Sequence, residues 1–396
     1  MGTNMMHEIP IGLLYSTTGT YKAIGREALD GALLGIHEVN SNPDIPISFI
    51  ATIENPGASI ANYQRLCEKM LREKNCKHVI GTITSISRKE IIPIIEKHDA
   101  LLWYCVPYEG FESCENVIYL GASPNQQIIP LFQYLIPKYG RRGYFLGSNY
   151  IWGWEQNRIG RELLHACGGE TLGEKYLAFD DVDIEHIIAE IREKKPDFIF
   201  NNLVGTSSYA FYKAYAKAGE ADSFFTPKNC PIVSCNLIES ELPMLGDNAG
   251  IGHISTASYF DTLTTQASAE FRLKVTAEYG EQRHISSEMV TGYSSIKILA
   301  AAIIEAASDN VEQVKEALFD MSFESPLGSL QFDSRTNHAS LHPIIAEITD
   351  QQNFRILSYS KHQISADPYL VEFDPVRFAD SVNQPLSASN FLKEVK

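Results

Sequence analysis

Ala100-Leu101-Leu102-Trp103-Tyr104-Cys105-Val106-Pro107-Tyr108-Glu109-Gly110-Phe111-Glu112 is a short apolar run that breaks into an aromatic, proline-stiffened loop. The run has the composition of a buried strand. In an open α/β sheet, ligands bind in the loops that follow the strand carboxyl ends. A loop there that offers tyrosine hydroxyls, aromatic faces and backbone polar groups suits a small polar molecule. The plainer alternative is a strand exit whose aromatics pack under the next helix.

Outward from this stretch, strand-like runs alternate with helical patterns. Residues 11–15 precede a helix whose apolar positions Ala28, Leu29, Ala32, Leu33, Ile36 and Val39 recur at three- and four-residue spacing. Residues 47–53 read as a second strand, and Ser59 suits the N-cap of a helix carrying Tyr63, Cys67 and Met70 on one face. A strand at His78–Gly81 and a helix over 87–98 lead into the quoted run. Such β-α-β-α order implies parallel strands joined by right-handed crossovers, a doubly wound layer. After residues 117–120 the rhythm restarts. It gives a helix over 126–139, a strand over 143–146, and a helix over 155–167 ended by Gly168-Gly169. Strands at 197–202, 231–234 and 252–257 complete the second series. Helices over 267–279 and 286–307 follow, and then short strands at 329–332, 344–348 and 354–358. The fold class is α/β, with two parallel-sheet layers in tandem.

A chain of 396 residues exceeds one ordinary core and predicts at least two domains. No apolar run approaches the roughly 18 residues of a bilayer span. The N-terminal residues show no basic segment leading into an apolar run and a cleavage site. A cytoplasmic location is therefore expected, with a periplasmic or lipid-anchored one as the alternative had a leader been removed. The net charge of −16 argues against direct nucleic-acid binding, which wants clustered Lys and Arg. Seven cysteines, an odd number with no CxxC pair, read mainly as reduced core thiols, with a Cys105–Cys114 bridge left open.

Ile11-Gly12-Leu13-Leu14-Tyr15-Ser16-Thr17-Thr18-Gly19 resembles the opening strand and ligand loop of type I periplasmic binding proteins. Tyr104 through Glu112, Pro124-Asn125-Gln126, Gly147-Ser148-Asn149-Tyr150-Ile151, Val204-Gly205-Thr206, Asn337-His338 and Asp367-Pro368-Tyr369 narrow the likeness to the amide- and urea-binding branch. That branch includes the amide sensors of aliphatic amidase operons. The resemblance implies two lobes joined by a three-strand hinge, with a ligand cleft between them that closes on binding. Lobe 1 would hold residues 1–122 and 258–325, and lobe 2 residues 123–257 and 326–396.

The resemblance also assigns ligand residues. Ser85, Tyr104 and the Val106-Pro107 backbone match pocket positions of the family, and Tyr150 matches the residue that covers the ligand from lobe 2. By itself Ser85 would more often serve as a helix N-cap. Ile83 stands where the family has a tyrosine, and Val106 where it has a threonine. Trp152 and Trp154 fall where it reads Tyr/Phe-Pro-Arg. These departures predict a ligand bulkier or more apolar than acetamide or urea. Thr206, Asn236 and Tyr259, each after a predicted strand, are further candidates.

No catalytic residue, cofactor or metal is expected. Cys105 lacks a nearby base for a thiol amidase or nitrilase role. His338 and His342 have helical metal-pair spacing but lie in strand and loop surroundings, and Asp180-Asp181-Val182-Asp183 reads as a solvated loop. The expected role is a cytoplasmic sensor that binds a small amide or urea-like ligand and signals through an antiterminator-type regulator. The alternative is the receptor of an ABC permease for such solutes. A homodimer is the expected assembly.

Overall fold

The computed structural model describes residues 7–383 and, as a short strand, 393–394. The first series is β1 (His7–Leu14), α1 (Lys22–Ser41), β2 (Ile47–Glu54), α2 (Ile60–Glu73), β3 (His78–Gly81), α3 (Ser85–Lys97), β4 (Leu101–Tyr104) and β5 (Val117–Tyr119). The second is α4 (Pro124–Tyr139), β6 (Arg142–Ser148), α5 (Ile151–Ala166), β7 (Glu170–Leu177), α6 (Glu185–Lys194), β8 (Phe198–Asn202), α7 (Thr206–Ala221), β9 (Ile232–Ser234) and β10 (Ile254–Ala257). Then come α8 (Gln266–Tyr279), α9 (Ser287–Ala306) and α10 (Val311–Asp320). The remainder is β11 (Phe323–Ser325), β12 (Gly328–Leu330), β13 (Phe332–Asp333), β14 (His338–Ala339), β15 (Ile344–Ile348), β16 (Phe354–Tyr359), α11 (Pro375–Asn383) and β17 (Lys393–Glu394).

Two compact units divide the chain. The first takes the chain up to Pro107, then Glu112–Gly121 and Thr264–Ser340, and the second takes Tyr108–Phe111, Ala122–Leu263 and the chain from Leu341. In the first unit the sheet order is β13-β14-β5-β4-β3-β1-β2, and the five strands from β5 to β2 are parallel. Every residue of β3 and β4 is buried, as a parallel sheet covered on both faces requires. That is why these strands read as unbroken apolar runs. On one face α1 and α9 pack so closely that a Cβ at Gly31 would lie 1.9 Å from the Met289 carbonyl oxygen. Only glycine fits there.

The second unit repeats the design. Its sheet order is β17-β16-β15-β10-β9-β8-β6-β7, with β7, β6, β8, β9 and β10 parallel and β15 and β16 added antiparallel. Its main core cluster gathers Leu146, Ile199 and Ile232 from one face of the parallel strands with Ile187 and Ile191 of α6 and Phe211 of α7, while Phe145, Phe198 and Phe200 alternate to the other face.

The structure departs from expectation at several points. Residues 326–340, expected with the second unit, join the first, because β14 pairs with β5 (His338↔Tyr119) and β13 pairs back on β14. Residues 258–263, expected with the first unit, join the second, where Thr262 donates to the Phe354 carbonyl. The strand expected at 329–332 is two elements, β12 paired with β11 and β13 in the main sheet. Helices α10 and α11 were not anticipated. α9, at 20 residues and a mean hydropathy of 1.3, is long and apolar enough to cross a membrane, yet 72% of its apolar window is buried in the first unit. It is a core helix. All seven cysteines are free, so no Cys105–Cys114 bridge forms.

Two carboxyls lie in the α1–α9 layer. Burial pushes Glu27 up to about 7 despite Arg283 at 2.9 Å and the Ser286 hydroxyl. Burial likewise raises Glu288 to about 7, offset in part by the Ser287 hydroxyl at 2.8 Å. A carboxyl whose folded pKa is raised binds its proton more tightly when folded. It therefore contributes stability below about 4.5 that is lost as pH rises through about 7. Glu288→Gln should melt like the parent near pH 4 and be more stable near pH 8, by on the order of 2–3 kcal/mol. Thermal denaturation across this range checks it, and equal curves at pH 8 would refute it.

Candidate functional site

In the first unit the strand order reverses at β1 and β3, so the loops leaving their carboxyl ends run to opposite faces and open a crevice. After β1, the buried Ser16 donates to the Tyr63 hydroxyl at 2.8 Å and accepts from the Ala58 N–H at 2.9 Å. Next to it the Thr17 N–H donates to Asn55 Oδ1 at 3.1 Å. After β3 come Ile83 and Ser85, both buried. The N-cap of α3 is Thr84, whose hydroxyl accepts from the Ser87 N–H at 3.3 Å. Ser85 is thus not the cap; it is the first helical residue.

Tyr104, at the end of β4, is fully buried and donates to the Ile83 carbonyl at 2.9 Å, tying two candidate positions together. The Arg88 guanidinium lies 4.5 Å from its ring centroid. The Arg88 side chain is wholly buried and meets Glu112 at 2.7 and 3.3 Å. Glu112 also takes Lys89 at 2.6 Å and the Tyr119 hydroxyl at 2.8 Å. Burial pushes the Glu112 carboxyl up, but the charges and hydrogen bonds of Arg88 and Lys89 outweigh it and hold it at about 2. Val106 is buried and Pro107 half-buried. A Cβ at Gly121 would lie 1.8 Å from the Val106 carbonyl oxygen, so the backbone after β4 rests directly on that glycine.

The second unit has its own reversal, at β6 and β8. Tyr150 caps the start of α5, its ring 5.0 Å from Phe179. Helix α5 begins at Ile151, four residues before the expected start, which puts Trp152 in its first turn. Trp154 is exposed and donates to Asn149 Oδ1 at 3.0 Å. Trp152 is buried, and its Nε1 has no hydrogen-bond partner among the described residues. One turn on, the fully buried Gln156 turns its Nε2 to the Tyr108 carbonyl at 3.4 Å, leaving Oε1 without a partner among the described residues. Behind them Asn202 donates to Asn157 Oδ1 at 2.9 Å, and Asn202 Oδ1 has no hydrogen-bond partner among the described residues. Asn236 donates to the Leu203 carbonyl at 3.2 Å. Thr206 is an exposed residue of the first turn of α7, and Tyr259 is fully buried.

Four of these residues escaped the sequence reading. Ser16 opens the polar run Ser16-Thr17-Thr18 directly after a strand, a visible signal. Arg88 stands in register with Ile91 and Ile95 on the buried stripe of α3, where a charge demands a partner. Gln156 and Asn202 carried no local signal.

Burial raises the Cys105 thiol to about 11, against hydrogen bonds from Ser295 and Tyr15, so the thiolate is disfavoured. Backbone carbonyls meet His338 Nδ1 at 2.6 Å and His342 Nδ1 at 2.9 Å. Among the described residues no group of three His, Cys, Asp or Glu could hold a metal.

A family model described as periplasmic binding protein domain matches residues 9–375. Solved structures with the same fold include a solute-binding protein of an ABC transporter from Rhodopseudomonas palustris HaA2 in complex with p-hydroxybenzoic acid. It has a TM-score of 0.82 and 17% identity, covering 92% of this chain and 99% of that one. A counterpart from R. palustris in complex with benzoate has a TM-score of 0.80 and 18% identity over 91% and 98%. The branched-chain amino acid transporter substrate-binding protein LivJ of Streptococcus pneumoniae, in complex with isoleucine, has 0.78 and 14% over 90% and 100%. At these identities the likeness is one of fold. A protein named limonene hydroxylase from Geobacillus stearothermophilus is 28% identical over 140 residues, 35% of this chain and 25% of its own length.

Removing one partner of a buried ion pair strands the other. Arg88→Met should cost about 3–5 kcal/mol in urea denaturation, and adding Glu112→Gln should recover part of it. Because the folded Glu112 pKa is depressed, its contribution is present above about 4.5 and lost as pH falls through about 2. Glu112→Gln should flatten that acid-side loss; an unchanged acid profile would contradict the assignment.

Proposed function

This chain belongs to the periplasmic binding protein domain family, and we propose that it is the solute-binding component of an ABC transporter for small amides, working outside the cytoplasmic membrane. The family match supports a binding protein, and the transporter proteins that share the fold favour a receptor over the cytoplasmic sensor read from the sequence. The partner is then a membrane permease rather than an antiterminator-type regulator.

One observation carries the choice of ligand. Trp152 Nε1 and Gln156 Oε1 lie one helical turn apart, both buried and both without a hydrogen-bond partner among the described residues. One is a donor and the other an acceptor. A primary amide offers a carbonyl to the first and an N–H to the second. A carboxylate answers only the donor and sets its own oxygen against Gln156, and a buried polar atom left so costs about 1–3 kcal/mol. In the first unit Ser85, Tyr104 and the Val106-Pro107 backbone, lined by Ile83, are the residues we assign to the ligand. In the second, Tyr150, Trp152 and Gln156 lead, with Asn236, Thr206 and Tyr259 as lesser contributors.

A second reading has its own support. Benzoate and p-hydroxybenzoic acid are bound by proteins of the same fold, and an aromatic carboxylate would suit the apolar Ile83 and Val106. Calorimetry separates the two. Benzamide and isobutyramide should bind at least about tenfold tighter than benzoate and isobutyrate, and Trp152→Phe and Gln156→Leu should each weaken the amides by about tenfold. Tighter binding of the acids would replace the amide reading with the carboxylate one. Deleting the gene should abolish uptake of the labelled amide by whole cells; uptake unchanged, with loss of amide-induced transcription, would restore the sensor.

A further inference from the structure

Away from the strand ends, the first unit contains a cavity of about 470 Å³ between α8, α9 and residues 321–326. Small-molecule sites have volumes of roughly 300–1,000 Å³ and mostly apolar walls. Here Phe271, Ile298 and Phe323 supply buried apolar walls, and Ala267 and Ala301 leave the space open. Ser294 also lines it; the residue is 1% exposed, and its Oγ has no hydrogen-bond partner among the described residues. A buried hydroxyl without a partner in a cavity wall calls for a ligand or a water.

The charges lie to one side. Lys274 and Lys297 both line the cavity, and both lean on a single carboxylate oxygen of Glu38, at 3.1 and 3.4 Å. The Tyr293 hydroxyl donates to that same oxygen at 2.7 Å. Two ammoniums on one carboxylate leave a surplus positive charge facing the space. Lys274, Glu270 and Glu324 are all exposed at the rim, where water and salt screen them alike, and the half-buried Lys297 is the least screened charge of the lining.

We propose that this cavity is a second ligand site, taking a small amphipathic carboxylate. Its head accepts from Lys274, Lys297 and the Ser294 hydroxyl, and its hydrocarbon part lies against Phe271, Ile298 and Phe323. The site shares no residue with the strand-end site and stands whether or not the amide reading does.

Calorimetry on the full chain tests it with phenylbutyrate, phenylbutylamine and phenylbutanol, three probes of one size that differ in the head group. Phenylbutyrate should bind at least about tenfold tighter than the other two. Ala301→Trp, which fills the cavity, and Lys297→Met should each weaken it by about tenfold or more, and leave benzamide binding unchanged. Ala267→Trp fills the same space from α8 and serves if either variant misfolds. Equal binding of the amine or the alcohol overturns the carboxylate assignment. Phenylbutyrate affinity that survives the filled cavity, or that falls with Trp152→Phe, overturns the site.

Discussion

A parallel sheet cannot be closed by hairpins, and much of this molecule follows from that. Each strand must return through a helix before its neighbour is laid down, so both faces are covered and the strands carry apolar residues throughout. The loops leaving the strand carboxyl ends then gather on one edge, where polar side chains can serve a ligand. Both units obey the same order, with two strands on one side of the reversal and three on the other. Ser16 after β1, Ser85 at the start of α3 and Tyr104 at the end of β4 therefore have counterparts by position in Tyr150 after β6, Thr206 at the start of α7 and Ser234 at the end of β9. Neither set was placed by local preference alone. They stand where the topology leaves room for polar groups.

Within the first unit, one buried charge settles the course of the chain after β4. Arg88 is carried into the interior by the apolar stripe of α3, and a wholly buried guanidinium is costly unless its donors are taken. Glu112 takes two of them, and the Tyr104 ring lies against the guanidinium. Four residues of chain separate Pro107, where the backbone rests near Gly121, from Glu112, where the ion pair fixes it. The stretch between, Tyr108–Phe111, belongs with the second unit, where the Phe111 N–H donates to the Pro368 carbonyl at 2.7 Å.

Much of this was legible from residue order. The apolar runs at β3 and β4 and the three- and four-residue spacing in α1 and α2 are local signals, and they gave two α/β layers in series. The failures share a cause. β14 looks like any short polar strand until Tyr119 is there to pair with it, and that partner lies far away in the chain. The start of α5 was set too late because Trp152-Gly153-Trp154 has poor helical character. Yet a Cβ at Gly153 would come within 2.3 Å of the Ser148 carbonyl oxygen, so the close approach of helix to strand requires a glycine there. Tertiary packing overrode propensity. Among the candidate residues, Tyr104 and Tyr150 came from the family resemblance, whereas Gln156 and Asn202 were not singled out. Whether a buried amide is satisfied depends on neighbours that only the folded chain supplies.

A fold does not by itself choose a ligand, so the choice must come from the balance of donors and acceptors at the edge. The orientation of Gln156 is the informative case. A backbone carbonyl can only accept, so the Tyr108 oxygen obliges Gln156 to present its Nε2 and to turn Oε1 the other way. The Trp152 indole can only donate. The pair thus asks for a group that both donates and accepts, and the acceptor half of that demand is imposed by the main chain of the same aromatic loop with which the strand after Ala100 ends. Replacing a side chain in that loop would leave the demand intact, because the carbonyl would remain. On the proposed reading the ligand class thus follows from backbone geometry, and the Trp152 side chain would bear on the size of the rest of the molecule.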